Sequence, residues 1–382
     1  MIFSCDKKPL LEAFSAAAQT TTAKSSIQVL EGVKVQANPD NTVSFIGYNL
    51  KTAVSTIMDA NVKEPGEVVI PARIFCSIVN AFDNGLVLVT SGFDHINVKC
   101  GTAAYSIVGY ITRDYPDLPE TGDNVLENVP ISTLHPMVQN SAFAVSTDES
   151  RPVFCGMLLE FCDGELVTCA VDGYRLAVHR AHGFANTKNL SDEKVSFIIP
   201  GEMLKVLLKV FPTVGDSSDI NIALNSRFIR FDCGNTSVIS NRIVGEFFDY
   251  NSALKTDCTY AVTVEKTPLV SALKRVGIAT DAKNKTPVVC SFSKDDIELS
   301  CKSQTATAKE VADYADSVVD LSEPFSVAFN HVYLYDALSS ASTDKVVLHL
   351  KDKNSPVFIT PEGADDDFTF MVMPVRMRGG ES

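Results

Sequence analysis

Ten cysteines are present, yet no two stand as Cys-x-x-Cys, so neither a zinc knuckle nor a thioredoxin-like redox site is expected. Cys155, Cys162 and Cys169 are evenly spaced, but they fall in strand-like text and read as small buried hydrophobes. Unpaired cysteines in this number fit a reducing compartment. No stretch approaches the roughly 18 apolar residues of a membrane span. The opening MIFSCDKKPLLEAF has no basic leader and no continuous apolar run, so no secretory signal is expected and a cytoplasmic location is. Motifs of established chemistry are also missing: no Gly-x-Ser-x-Gly, Walker loop, Gly-x-Gly-x-x-Gly or His-Glu-x-x-His occurs. His179 and His182 are near neighbours without a third ligand and read as surface-loop residues. Asp172 and Asp249 read as lone carboxylates in turns. The reading therefore assigns no catalytic residue, metal or cofactor. Finally, there is no basic excess. Lys and Arg number 33 against 47 Asp and Glu, a net −14, which speaks against an ordinary electrostatic nucleic-acid binder.

What the chain does have is internal repetition. Its 382 residues, 45% hydrophobic and 21% charged, suit a globular protein of two to four domains. KKPLLEAFSAAA (7–18), LHPMVQNSAFAV (134–145) and KTPLVSALKRVG (266–277) each place a proline before a helical apolar pattern. Pro9, Pro136 and Pro268 lie 127 and 132 residues apart and are expected in first helical turns, where a missing N–H costs nothing. A second series runs from a short apolar strand into an amphipathic helix at Pro71, Pro200 and Asn330, 129 and 130 residues apart. Asn330 is expected to act as an N-cap. Between the helices lie runs that alternate with period two, such as TVSFIGY (42–48), FIRFDC (228–233) and VVLHLK (346–351), as half-buried strands do. Each repeat thus predicts two helices and about eight consecutive strands, an α+β fold with antiparallel sheets. Polar, turn-rich stretches near 119–128 and 249–258 predict linkers, giving domains at 1–124, 125–253 and 254–382.

The six predicted helices carry a net +5, which leaves −19 for the strands, turns and tail of a chain at −14. If the helices faced DNA, a mildly positive surface would meet it, and that suffices where topology rather than affinity retains the protein. Contacts to phosphate without contacts to bases also permit sliding. Solvated helix faces are commonly rich in Lys and Arg, so charge alone does not decide.

Two short constellations complete the reading. Ala170-Val171-Asp172-Gly173-Tyr174-Arg175-Leu176-Ala177 reads as a hairpin around Asp-Gly, with Arg175 in solvent if the hairpin is an ordinary one. Met371-Val372-Met373-Pro374-Val375-Arg376-Met377 suits an edge strand beside an adaptable apolar groove, or simply a last core strand. With these residues the sequence resembles the bacterial sliding-clamp family, the beta subunits of DNA polymerase III. That family typically shows a Thr-Asp-Gly-His/Tyr-Arg-Leu turn and a terminal Met-Pro-x-Arg-Leu strand. Arg113-Asp114-Tyr115-Pro116-Asp117-Leu118, residues 151–157 (RPVFCGM) and Phe329-Asn330 with Tyr333 also fall in place, so the likeness covers essentially the whole chain in order.

The resemblance implies three similar domains per chain and a head-to-tail homodimer closed into a ring, helices inward. It implies no catalysis, no cofactor and no membrane. Partners would be duplex DNA, held without sequence preference, and a polymerase catalytic subunit, a clamp loader and repair proteins docking through short peptides. The implied peptide pocket comprises Phe154, Val171, Gly173, Tyr174, Arg175, Leu176, Phe248, Tyr333, Met373, Pro374, Val375 and Arg376. Val171 stands where the family often has threonine and Phe248 where it often has proline, which alters the pocket's rim and one wall. Lys24 falls at a position that is basic in relatives. Arg73, Arg151, Lys205, Lys209, Lys274 and Arg275 are placed toward DNA by helix or loop location. Tyr105, Ile107, Leu273 and Ile278 are the candidate apolar contacts of the dimer. Two other readings remain: a scaffold of the same fold that is not loaded on DNA, and an α+β hydrolase whose triad assembles across the fold.

Overall fold

The computed structural model describes residues 1–92, 95–183, 194–215, 218–255, 257–281, 286–315, 325–363 and 367–376. Met377, the tail 378–382 and the aspartates Asp365 and Asp366 lie outside them. The chain forms two compact units. One contains Met1–His135 and Glu202–Arg242; the other contains the described parts of Pro136–Ala185, Ser191–Gly201 and Ile243–Ser382.

In the first unit, alternating strands build one eight-stranded antiparallel sheet. Its order is Asn124–Pro130, Asp219–Leu224, Phe228–Cys233, Thr236–Asn241, Thr52–Asp59, Thr42–Tyr48, Gly32–Ala37 and Gly66–Pro71. The sheet therefore passes from the second repeat into the first along one seam, where Thr236 faces Thr56 and Ser240 faces Thr52. Both pairs are buried and joined through hydroxyls, at 2.8 and 3.0 Å. A five-stranded sheet, Asn61–Glu64, Ile2–Asp6, Leu86–Ser91, His95–Cys100 and Ala103–Val108, completes the unit. Helices Lys7–Ala18 and Ala72–Ala81 bury Leu10, Phe14, Phe75 and Val79 in a common core, with the Phe14 and Phe75 rings 4.3 Å apart.

The second unit repeats the plan. Its eight strands are Val195–Pro200, Gly156–Cys162, Glu165–Val171, Arg175–Ala181, Asp367–Val372, Val357–Pro361, Lys345–Leu350 and Tyr260–Glu265. Its seam pairs Arg175–Ala181 with Asp367–Val372. Thr307–Asp313, Asp296–Lys302, Val288–Phe292 and Phe325–Phe329 form a four-stranded sheet. Helices Lys266–Gly277 and His331–Ser340 supply Leu269, Leu273, Val276, Leu334 and Leu338 to the core.

The α+β repeat architecture is as expected, but its register is not. The first helix of each repeat begins where a backbone N–H meets a carbonyl of a later loop: Lys7 to Gly85 at 3.0 Å, Ile131 to Ser218 at 3.0 Å and Lys266 to Asp344 at 2.8 Å. Pro9 and Pro268 are then third residues, in the first turn, whereas Pro136 is the sixth residue of Ile131–Ser141. There it removes an internal N–H, and aligning the three prolines misplaced the second repeat by one helical turn. Asn330 does cap its helix, its Oδ1 accepting the Val332 N–H at 3.0 Å. Neither predicted linker is wholly irregular: the strand Asn124–Pro130 starts in one and the helix Tyr250–Leu254 in the other. Asp249 is no lone carboxylate, since it caps that helix by accepting the Ser252 N–H at 3.3 Å. Nor is His179 in a surface loop: it is 4% exposed on the strand Arg175–Ala181, its ring 6.3 Å from Phe368. His182 is exposed between Glu165 and Asp367.

Candidate binding pocket

The Asp172-Gly173 turn organises the site. The Asp172 Oδ1 accepts the backbone N–H groups of Tyr174 at 2.8 Å and Arg175 at 3.0 Å, and Oδ2 accepts Arg175 Nε at 2.9 Å. Gly173 has φ +94°, a conformation that favours glycine; a Cβ there would come within 3.1 Å of the Arg151 guanidinium, the end of a flexible side chain that can shift. Arg175 does not project into solvent. Its side chain is 12% exposed, and Nη1 also reaches the Asp336 carboxylate at 2.6 Å. The guanidinium lies 4.5 Å from the Tyr333 ring centre and 5.4 Å from that of Phe143. A buried cation held by two carboxylates and two rings fixes the turn against the helix His331–Ser340.

That clamp leaves Tyr174 outward, 59% exposed and stacked on Tyr333 at 5.9 Å. The C-terminal segment runs alongside. Met373 N–H donates to Tyr174 O at 2.8 Å and Val375 N–H to Ala328 O at 2.7 Å. Pro374, between them, has no N–H to satisfy. Met373 is 37% exposed and Arg376 is exposed. Phe154, Val171 and Leu176 belong to an apolar cluster with Val153, Phe247 and Met371. Val171 and Leu176 are buried in it, so Val171 is not a rim residue. A cavity of about 470 Å³ opens between Arg151, Pro152, Val153, Phe154, Glu246, Phe247 and Phe248. That volume lies in the range of small-ligand and peptide side-chain pockets. Phe247 meets Phe154 edge-to-face at 6.2 Å. The sequence reading singled out Phe248 and missed Phe247, Asp336 and Glu246. The doublet Phe247-Phe248 was the available signal.

The first seam carries a matching turn. The Asn49 Oδ1 accepts the N–H groups of Lys51 at 3.0 Å and Thr52 at 2.7 Å, as Asp172 does for Tyr174 and Arg175. Asn241 N–H donates to Lys51 O at 3.0 Å, as Met373 N–H does to Tyr174 O. Leu50, at φ +70°, takes the place of Gly173, and Thr52 the place of Arg175.

The other candidates scatter. Lys24, Arg73, Lys205, Lys209 and Lys274 are exposed. Lys205 pairs with Glu202 at 2.8 Å, and Lys209 donates to Gln19 at 2.7 Å. Arg275 is bidentate to Glu310 at 2.9 and 3.0 Å, and this pairing holds the Glu310 carboxyl below its ordinary pKa. Arg151 belongs to the pocket: it donates to Asp172 O at 3.2 Å and its guanidinium sits 5.3 Å over the Phe154 ring. Of the four dimer candidates, Tyr105 and Ile278 are exposed, at 46% and 83%. Ile107 and Leu273 are not available on the surface. Ile107 alternates inward on its strand, and Leu273 shares the inner helix face with Leu269, Ala272 and Val276. Among the described residues, no group of three or more His, Cys, Asp or Glu could hold a metal, and no helix is long and apolar enough to cross a membrane.

The fold is a repeated α+β one, and an apolar cavity opens in its second unit. Three family models match in succession: the N-terminal domain of the DNA polymerase III beta subunit over residues 1–119, its central domain over 128–249 and its C-terminal domain over 251–376. The chain belongs to this family. It is 25% identical to a beta sliding clamp of Synechocystis over 391 aligned residues, covering 98% of each chain. The solved sliding clamp of Bacillus subtilis matches with a TM-score of 0.86 at 22% identity, over 99% of this chain and 100% of that one. The Pseudomonas aeruginosa clamp bound to griselimycin matches with a TM-score of 0.86 at 23% identity, over the same shares.

Proposed function

We propose that this chain is a non-catalytic cytoplasmic processivity factor. Two copies close head to tail around duplex DNA and tether a polymerase catalytic subunit, a clamp loader and repair proteins through the Phe154–Tyr174–Met373 cleft. The observation that carries the reading is the ordered run of three clamp domains over residues 1–376. We divide the chain at 1–124, 125–253 and 254–382, and assign Lys24, Arg73, Lys205, Lys209 and Lys274 to the DNA side. Arg275 and Lys205 add no net charge there because Glu310 and Glu202 neutralise them. Ring closure needs two exposed sheet edges from different repeats. Ala103–Val108, with Tyr105 and Val108 exposed, and Thr307–Asp313, with Val311 exposed, have that character. Unpaired edges are templates for pairing with another chain, and a heterologous contact repeated twice closes a dimer.

The test is retention on nicked circular DNA after loading, before and after the circle is linearised. A dimer by light scattering that stays on circles and leaves cut ends is the expected result. A monomer, or binding that salt abolishes and DNA ends do not affect, defeats the ring.

A further inference from the structure

We infer that Glu246 makes the phenyl-lined cavity selective for partner segments in which a basic residue stands beside an aromatic one. The inference rests on the peptide-pocket reading and concerns which peptides enter. Three phenylalanines, Phe154, Phe247 and Phe248, meet at the cavity, and Phe248 is 41% exposed at its mouth. Phe154 and Phe247 pack edge-to-face, and a partner's aromatic ring could add a further pair of the same kind.

The charges around the mouth separate into committed and uncommitted groups. Arg151 is held by Asp148 at 3.5 Å, by Asp172 O and by the Phe154 ring. Asp249 is spent on capping the helix Tyr250–Leu254. Glu246 is exposed, lines the cavity and has no hydrogen bond or ion pair among the described residues. The net −14 of the chain offers it no general relief. A lysine or arginine entering beside an aromatic anchor would pair with Glu246 and lie over the exposed Phe248 face, two favourable terms from one side chain. A glutamate in the same place would meet repulsion and gain neither.

The experiment uses the full chain and two fluorescent eight-residue peptides, each with one central phenylalanine among small apolar residues, flanked by lysine in one and by glutamate in the other. In low salt the lysine peptide should bind about three- to tenfold more tightly, and the gap should narrow as salt screens the pair. Glu246→Gln should narrow the gap to the part the Phe248 face supplies and remove its salt dependence, and Glu246→Lys should narrow it further or reverse it, both with unchanged thermal unfolding because the side chain is exposed. Phe154→Ala should weaken both peptides alike. Equal affinities that do not respond to Glu246→Lys overturn the selectivity while leaving the pocket in place. If neither peptide binds an intact dimer, the pocket reading itself falls, and the selectivity with it.

Discussion

At residues 49–52 and again at residues 172–175, one side-chain oxygen gathers two backbone N–H groups, and a strand from a later repeat hydrogen-bonds the turn's next carbonyl. The frame is the same and the contents differ. The first turn holds Leu50, Lys51 and Thr52, and its seam is closed by small hydroxyl pairs. The second holds Gly173, Tyr174 and Arg175, and its seam is closed by an ion cluster that leaves two tyrosines and a methionine at the surface. A repeated fold thus supplies the same scaffold twice, and side-chain chemistry alone distinguishes the copy that borders the proposed peptide site. Glycine at 173 is favoured by its positive φ, whereas Leu50 adopts a left-handed backbone with a side chain in place.

The sharpest way to break this comparison is to remove the buried cation. Arg175→Met removes the cation that Asp172 and Asp336 share, leaving Asp172 only its two backbone N–H donors, and should cost about 2–4 kcal/mol, discounted for the partial exposure of Asp336. Thr52→Val, which removes the matching hydroxyl, should cost about 1 kcal/mol. Urea unfolding of both variants is the measurement, and equal losses would mean that the two seams are held alike.

A smaller effect is expected from the turn backbones. Gly173→Ala should lose about 1–2 kcal/mol and weaken peptide binding, through a strained φ and a displaced Arg151. Leu50→Gly should stay within about 0.5 kcal/mol of the parent, because relief of strain and added chain entropy offset. A Gly173→Ala variant as stable and as binding-competent as the parent would show that the glycine is incidental.

Acid should also tell the units apart. Burial lowers the pKa of His331 and His349, both in the second unit, below the ordinary imidazole value. The unfolded chain then binds more protons, so stability is full above about pH 6.5 and declines as pH falls below it. Hydrogen exchange at pH 7.5 and 5.5 should show protection lost in Lys345–Leu350 and His331–Ser340, with Ile2–Asp6 unchanged. Uniform loss across the chain would point to a general charge effect instead. The smallest change in stability, roughly within 0.5 kcal/mol, is expected for Phe248→Ala, whose ring is 41% exposed, and its consequence should appear in peptide affinity.

Much of this was legible in the sequence because hydrophobic period is a local signal. The helices after Pro71, Pro200 and Asn330 and the alternating strands followed from it directly. The second repeat's register was not legible, since proline is tolerated at the sixth residue of Ile131–Ser141 and so makes a poor landmark. Arg175 reads as a surface residue until Asp336, 161 positions away, is brought to it. Ile107 and Leu273 are apolar, but apolarity does not say which side of a strand or helix faces the chain's own core. The kinship of the two turns was hidden as well. Asn-Leu-Lys-Thr and Asp-Gly-Tyr-Arg share only the oxygen that collects the N–H groups.

The two seams bear on what severing the polypeptide would do. A protease that nicked the chain between residues 118 and 124 would divide its covalent connectivity without parting the pieces. The strand Thr236–Asn241 would remain laced to Thr52–Asp59 and its two hydroxyl pairs would stay sealed inside. Such a nicked molecule would run as one species on a native gel and as two on a denaturing one. The repeats are cut from a single woven cloth, and the linker is a stitch that the weave can spare.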